Sequence, residues 1–288
     1  MQPGSPEWLA KVTASKVSAI LGLSPWDSPL TMWLRIHGDL PEDTSNADAK
    51  ARGHYLEAGV VAWWLDQGEH LRSIVSTQPS AIIGDWAAAT PDALAYDGDD
   101  LVIVEAKTDG KDWEWLVYAE DGTIVPGVPD HYAAQACFQL AAFPEALRVH
   151  FPVLHKGLTF REYVVERDAD TIAAVVAACR EFYDSLAADT PPPLSGMACE
   201  YEALRRVHTG IDKGAEAVIP DDLAAALASA YHAEKALGGL KAAALDLMGT
   251  AQYAVNESGQ KIARRQAKGD AIALYVTAPA PATERPAA

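Results

Sequence analysis

Residues 90–110 read TPDALAYDGDDLVIVEAKTDG, and the reading of this stretch decides the fold. Two apolar runs flank an Asp-Gly-Asp-Asp turn, the pattern of a tight β-hairpin. With Gly98 and Asp99 as the two-residue loop, Asp92 falls opposite Glu105, with Cβ atoms about 5 Å apart. Two like charges opposed on an apolar hairpin destabilise it unless something neutralises them. A divalent cation with oxygen ligands does so, and Mg²⁺ typically takes one or two carboxylates together with water and phosphate. Lys107 lies two residues beyond Glu105, on the same face of the same strand. An ammonium there can steady an attacking water or the charge at a phosphate. The plainer reading is a solvated hairpin with an ordinary Asp-Gly turn. Against it, the acid and the lysine follow four apolar residues in a strand that should be buried.

Outward from the hairpin, residues 13–22 read as a short helix capped by Thr13. Residues 28–38 read as a second, with Pro29 in its first turn and Gly38 after its end. The stretch AKARGHYLEAGVVAWWLDQG reads as a long helix closed near Gly68. Residues 80–90 are strand-like, and residues 113–129 are irregular, a loop or lid. DHYAAQACFQLAAF is an apolar helix stopped by Pro144. A hairpin turning at Lys156 and Gly157 and an amphipathic helix from Asp168 follow. TPPPLSG then marks a boundary. The expected domains are a core over residues 1–193, an accessory helical pair with a small β-hairpin over 194–276, and a disordered tail over 277–288. The fold class is α/β (α+β), a small mixed sheet flanked by helices with an α-rich addition.

The chain has 288 residues, 49% of them apolar, enough for a substantial core. No apolar run reaches 18 residues, so no membrane partner is expected, and the N-terminus lacks a secretory pattern. Cys137, Cys179 and Cys199 are few and scattered, which fits a reducing, cytoplasmic setting. The net charge of −17 excludes a DNA grip over the whole surface. It does not exclude one local groove. The eight histidines show no paired metal spacing, and no GxxxxGK[ST] loop occurs.

Pro91-Asp92 followed by Glu105-Ala106-Lys107 resembles the PD-(D/E)XK nuclease signature. Three further stretches, in order, resemble the lambda exonuclease and YqaJ-like viral recombinase family: VTASKVSAILGLSPW, ARGHYLEAG and PDHYAAQACFQLAAF. REYVVERDADTI resembles the strand and helix start that close that family's core. The resemblance spans about residues 8–190.

It implies a restriction-endonuclease-like core in which Asp92, Glu105 and the Ala106 carbonyl hold Mg²⁺, with Mn²⁺ able to substitute. Lys107 would position the nucleophilic water. Glu57 would hold a second metal or a metal-bound water, and Gln135 would orient the site with Tyr132 one turn earlier. Ser15 would meet the terminal 5′-phosphate. The family arginine before that serine is missing from PEWLAKVTAS, which leaves Lys11, Lys16 or Arg52 for the phosphate. Each has a plainer reading. Glu57 can be a solvated helix residue, Gln135 a loop cap and Tyr132 a packing residue. Trp113 and Trp115, beside Lys111, can pack on the core rather than stack on a base. The basic run KIARRQAKGD can touch DNA, dock a protein or form a solvated turn.

The implied activity is a 5′-to-3′ exonuclease on linear duplex DNA that leaves 3′ single strands for recombination. Its implied partners are DNA ends and a single-strand annealing protein, and a homotrimeric ring is the implied assembly. The alternatives are an endonuclease or RecB-like nuclease of the same fold, and a non-catalytic DNA-binding or assembly protein.

Overall fold

The computed structural model describes residues 5–41, 47–68, 71–110, 115–119, 121–211, 213–269 and 271–276. It divides into two compact units that meet at Gly210 and Ile211. The first unit opens with a helical turn, α1 (Pro6–Leu9), and a short strand, β1 (Val12–Thr13). A 3₁₀ turn then leads into α2 (Val17–Ile20). The single helix expected over residues 13–22 is therefore broken, and the Thr13 side chain caps nothing. Thr13 is extended instead, because β1 pairs in parallel with Ala87 and Ala88 further along the chain. The second helix, α3 (Pro29–His37), forms as its sequence dictates. Ser28 and Thr31 close a reciprocal capping box, and Gly38 ends the helix at φ +101°. The long helix α4 (Ala47–Leu65) follows.

Strand β2 (Arg72–Thr77) is one that the sequence reading misses. Its leading residue is a buried arginine. Arg72 donates to Asp97 at 3.1 Å and to Glu162 at 3.0 Å, and Glu162 also accepts from the Trp64 indole at 2.8 Å. Residues 80–90 form two strands, β3 (Ala81–Ile83) and β4 (Ala87–Ala89), rather than one, with Gly84 at φ +58° between them. Next comes the hairpin of β5 (Ala93–Asp97) and β6 (Asp100–Val104). Its pairs run from Asp97 opposite Asp100 to Ala93 opposite Val104, the register expected from a Gly98-Asp99 loop.

The strand then breaks at Glu105 and Ala106 and resumes as β7 (Lys107–Asp109). Residues 116–126 hold a small hairpin, β8 (Leu116–Tyr118) with β9 (Ile124–Pro126), where an irregular loop was expected. Lys111 and Trp113 lie outside the described residues. Helix α5 (Asp130–Ala142) leads to β10 (Arg148–His155), β11 (Phe160–Glu166) and helix α6 (Ala169–Ala187), which the Asp168 side chain caps.

The main sheet runs β11-β10-β6-β5-β2, with β7 also on β10. It is mixed: β10 is parallel to β6 and β7, and the other neighbours are antiparallel. Helices α5 and α6 cover one face through Ala136, Leu140 and Ile172 on Ile103, Val149 and Phe151. Helix α4 covers the other through Trp64 on Ala93, Ala95, Val102 and Val104. A further core joins α2, α3, β4, α5 and α6.

Proline accounts for the break in the central strand. The Glu105 N–H donates to the His150 carbonyl at 2.9 Å, so the next β10 donor on that side would be residue 152. Residue 152 is proline and has no N–H to give. The ladder lapses there for Glu105 and Ala106 and resumes with Lys107 opposite Val153, in unchanged register.

Composition places the first boundary at residues 193–194, whereas the compact units meet after Gly210. The difference is helix α7 (Ala198–Val207), which buries Ala203 in the first unit's core. The second unit holds one long helix, α8 (Asp221–Met248), and a three-stranded antiparallel sheet of β12 (Tyr253–Val255), β13 (Lys261–Lys268) and β14 (Ala271–Val276). Residues 194–276, expected as a helical pair and a small hairpin, hold the two helices α7 and α8 and these three strands. Residues 277–288, expected as a disordered tail, lie outside the described residues. Among the described residues no helix is long and apolar enough to cross a membrane.

Candidate active site

Beyond the end of β6 a cleft of about 550 Å³ lies between α4 and α5, lined by Gly53, Glu57, Asp92, Glu105, Lys107 and Tyr132 among others. Glu105 sits at its base, 6% exposed, and its carboxylate is surrounded by donors. The Lys107 ammonium donates to Oε1 at 2.7 Å and the Gln135 amide to the same oxygen at 2.6 Å. The Gln139 amide donates to Oε2 at 2.7 Å. Asp92, just before β5, accepts from the Ala106 N–H at 2.7 Å.

Electrostatics sharpen the picture. Burial, and then the Glu105 charge, push the Asp92 carboxyl up to about 8; Lys107 opposes this and Glu57 adds to it. Burial pulls the Lys107 ammonium down, but Glu105 and Asp92 outweigh that pull, so its pKa stands above the ordinary lysine value. The geometry makes the Lys107 ammonium a hydrogen-bond donor to Glu105. Burial raises the Tyr132 phenol, against the pull of Lys107, whose ammonium lies 5.1 Å from its ring centroid.

Among the described residues no three His, Cys, Asp or Glu side chains gather as a ready metal cage. The donors present are two carboxylates and the Ala106 peptide carbonyl, all oxygen ligands. A hard cation that keeps most of its waters fits this set. It would also relieve the repulsion that burial leaves on Asp92.

The positions expected to act fall into two groups. Asp92, Glu105, Ala106, Lys107, Glu57 and Tyr132 line one cleft, and Gln135 supports it from α5. Glu57 stands further out, with Gln78 Nε2 at 3.5 Å and His54 Nδ1 at 4.0 Å. Arg52 is exposed on α4, next to the cleft residue Gly53. Ser15 is exposed and has its hydroxyl 3.2 Å from that of Thr13. Lys16 departs from expectation. Its ammonium is buried over the Trp8 ring and donates to the carbonyls of Trp8, Leu9 and Lys11 at 2.7–3.0 Å, so it is committed to closing α1 and not to a phosphate.

Two residues were missed. Gln139 follows Gln135 by four positions, which puts both amides on one face of α5, and that spacing was available in the sequence. Trp26 lines the cleft at 61% exposure, with its ring edge on His131. Trp115 is a core residue, stacked between Tyr132 and Tyr163 with its indole N–H on Asp109 at 2.7 Å.

Fold and site together define an α/β protein with a carboxylate–lysine centre at a broken sheet strand. Residues 8–142 match the family model of the YqaJ-like viral recombinase domain. A curated relative, the uncharacterized protein YqaJ of Bacillus subtilis (strain 168), is 27% identical over 213 residues. The match takes in 69% of this chain and 62% of the relative's length. Among solved structures, an alkaline exonuclease from Laribacter hongkongensis is similar at a TM-score of 0.44 and 18% identity, covering 70% of this chain and 96% of its own. A phage-related exonuclease from Haemophilus somnus 129PT is similar at 0.41 and 13%, covering 62% and 96%.

Proposed function

We propose that the protein is a Mg²⁺-dependent deoxyribonuclease that degrades one strand of linear duplex DNA from its 5′ end. The observation that carries this reading is the Glu105 carboxylate, held by Lys107, Gln135 and Gln139 beside the buried Asp92 in an open cleft. Asp92, Glu105 and the Ala106 carbonyl would hold Mg²⁺ or Mn²⁺, with Glu57 behind a bound water. The cation would supply Lewis acidity and a bound water more acidic than bulk water. Lys107 holds the attacking water in line and offsets charge on the phosphate. Gln135 and Gln139 fix the Glu105 carboxylate so that it does not swing when DNA enters. Trp26 offers a flat ring at the cleft rim for the terminal base. In the fuller reading the product is a 3′ single strand passed to an annealing protein, and three copies ring the duplex.

The test is digestion of linear duplex labelled at the 5′ or the 3′ end, with Mg²⁺ or EDTA, on 5′-phosphorylated and 5′-hydroxyl substrates. Loss from the 5′ end that needs the metal and prefers the phosphate is the expected result. Cutting of circular duplex would move the protein to an endonuclease. No cleavage under Mg²⁺ or Mn²⁺ would leave a DNA-binding protein.

A further inference from the structure

The second unit carries a surface that the cleft does not use. Helix α8 packs Ala244, Leu245 and Met248 against Ala254, Ala263 and Leu274, and so covers one face of the C-terminal sheet. Alternation along the strands puts Tyr253, Arg264 and Tyr275 on the opposite face. They are direct neighbours across three strands, Tyr253 opposite Arg264 and Arg264 opposite Tyr275. The two rings are 42% and 43% exposed. The Arg264 guanidinium lies 5.5 Å from the Tyr275 centroid, and the Lys261 ammonium 4.2 Å from the Tyr253 centroid. Lys268 extends the row, opposite the small Ala271.

The charge is local to this strand. Residues 211–288 hold nine acids and eight bases, and Lys261, Arg264, Arg265 and Lys268 all stand on β13. Nearly all of the net −17 therefore lies in residues 1–210. Arg265 turns to the other face and donates to the Gly249 carbonyl, which leaves three cations with the two rings.

We propose that this open sheet face binds single-stranded DNA, with bases stacked on Tyr253 and Tyr275 and the backbone tracked by Lys261, Arg264 and Lys268. Rings set about two strand spacings apart, roughly 10 Å, suit bases splayed from a flexible strand. A duplex hides its base faces and offers nothing to the tyrosines, and an acidic peptide would use the cations alone. Stacking is tolerant of sequence, so little base preference is expected. A core that degrades one strand releases the ligand this face takes. That link rests on the proposed function, but the binding does not.

The test is fluorescence anisotropy of the full-length protein in EDTA with a closed circular single-stranded oligodeoxynucleotide, which has no end for the cleft to read. Binding should weaken with salt at a log–log slope of about −2, as three cations predict. Tyr253→Ala and Tyr275→Ala should each weaken it about tenfold, whereas Tyr253→Phe and Tyr275→Phe keep it. All four should degrade linear duplex at the wild-type initial rate. Glu105→Gln should lose cleavage and still bind the circle, which separates failure of this proposal from failure of the nuclease reading. Alanine variants that bind as wild type, or a polyglutamate peptide that displaces the circle and binds both alanine variants as tightly as wild type, would overturn the proposal.

Discussion

Glu105 accepts three hydrogen bonds from side chains, and each donor has a separable effect. Lys107→Met removes the one cation and should cut turnover at least about 100-fold, with the fold kept. Gln139 is fully buried, and its amide oxygen has no partner among the described residues, a cost of about 1–3 kcal/mol that its bond to Glu105 offsets. Gln139→Met should lower activity about 10- to 100-fold, read as a loss in kcat at saturating Mg²⁺ or as weaker Mg²⁺ dependence. Asp92 gives a stability prediction. Its folded pKa of about 8 lies above the ordinary aspartate value of 3.8, so between those values the folded state binds more protons than the unfolded one. Metal-free protein therefore loses stability as pH rises through this window. In EDTA, Asp92→Asn should melt above wild type, by a gap that widens from about pH 5 to about pH 9. The gap should reach at least ~2–4 °C; equal melting at the higher pH would contradict the buried-charge account. The acids and the lysine were legible in the sequence because one turn sets their register. The fate of Lys16 was not, since the carbonyls that take its ammonium belong to a helical turn several residues earlier.

At the scale of elements, the site depends on a strand that stops at the right place. Pro152 stands in the middle of β10 with its missing N–H toward the gap between β6 and β7. Pro152→Ala should restore one ladder bond to the Glu105 carbonyl, worth about 1 kcal/mol. Lost proline rigidity costs about 0.4–1 kcal/mol, so the melting temperature should hardly move. The added bond should draw the Glu105 carbonyl toward β10 and disturb the neighbouring Ala106 N–H bond to Asp92. Cleavage should then fall while the new residue-152 amide becomes slow to exchange; a fast-exchanging amide with full activity would show that the break has another cause. Local patterns made α3 and the central hairpin legible, because a capping box and a two-residue loop are complete within a few residues. Strand β2 and the break after β6 were not legible. Each is decided by a distant partner, the carboxylates of Asp97 and Glu162 for Arg72 and the proline of β10 for Glu105.

The whole molecule carries an acidic first unit and a second unit close to neutral. An acidic body repels DNA beyond the cleft, and that repulsion is screened within about 10 Å at 0.1 M salt. The first unit should fold alone if the division at Gly210 is physical. Helix α7 decides where the chain can be cut. Ala203 is buried in the core, and the Glu200 carboxylate, 2% exposed, accepts from the backbone N–H groups of Ser195 and Gly196 at 2.9–3.0 Å. These bonds fold the proline-rich connection back on α7, so the break visible in composition at residue 193 falls inside a packed structure. A chain ending after Gly210 should give one cooperative thermal transition close to that of the full protein and should keep end-dependent cleavage. A chain ending after Pro193 leaves the site of Ala203 empty and removes a helix from α3, and should melt lower by about 2–4 °C for each kcal/mol lost. Equal melting of the two truncations would place the boundary where the composition changes and reduce α7 to a passenger on the core.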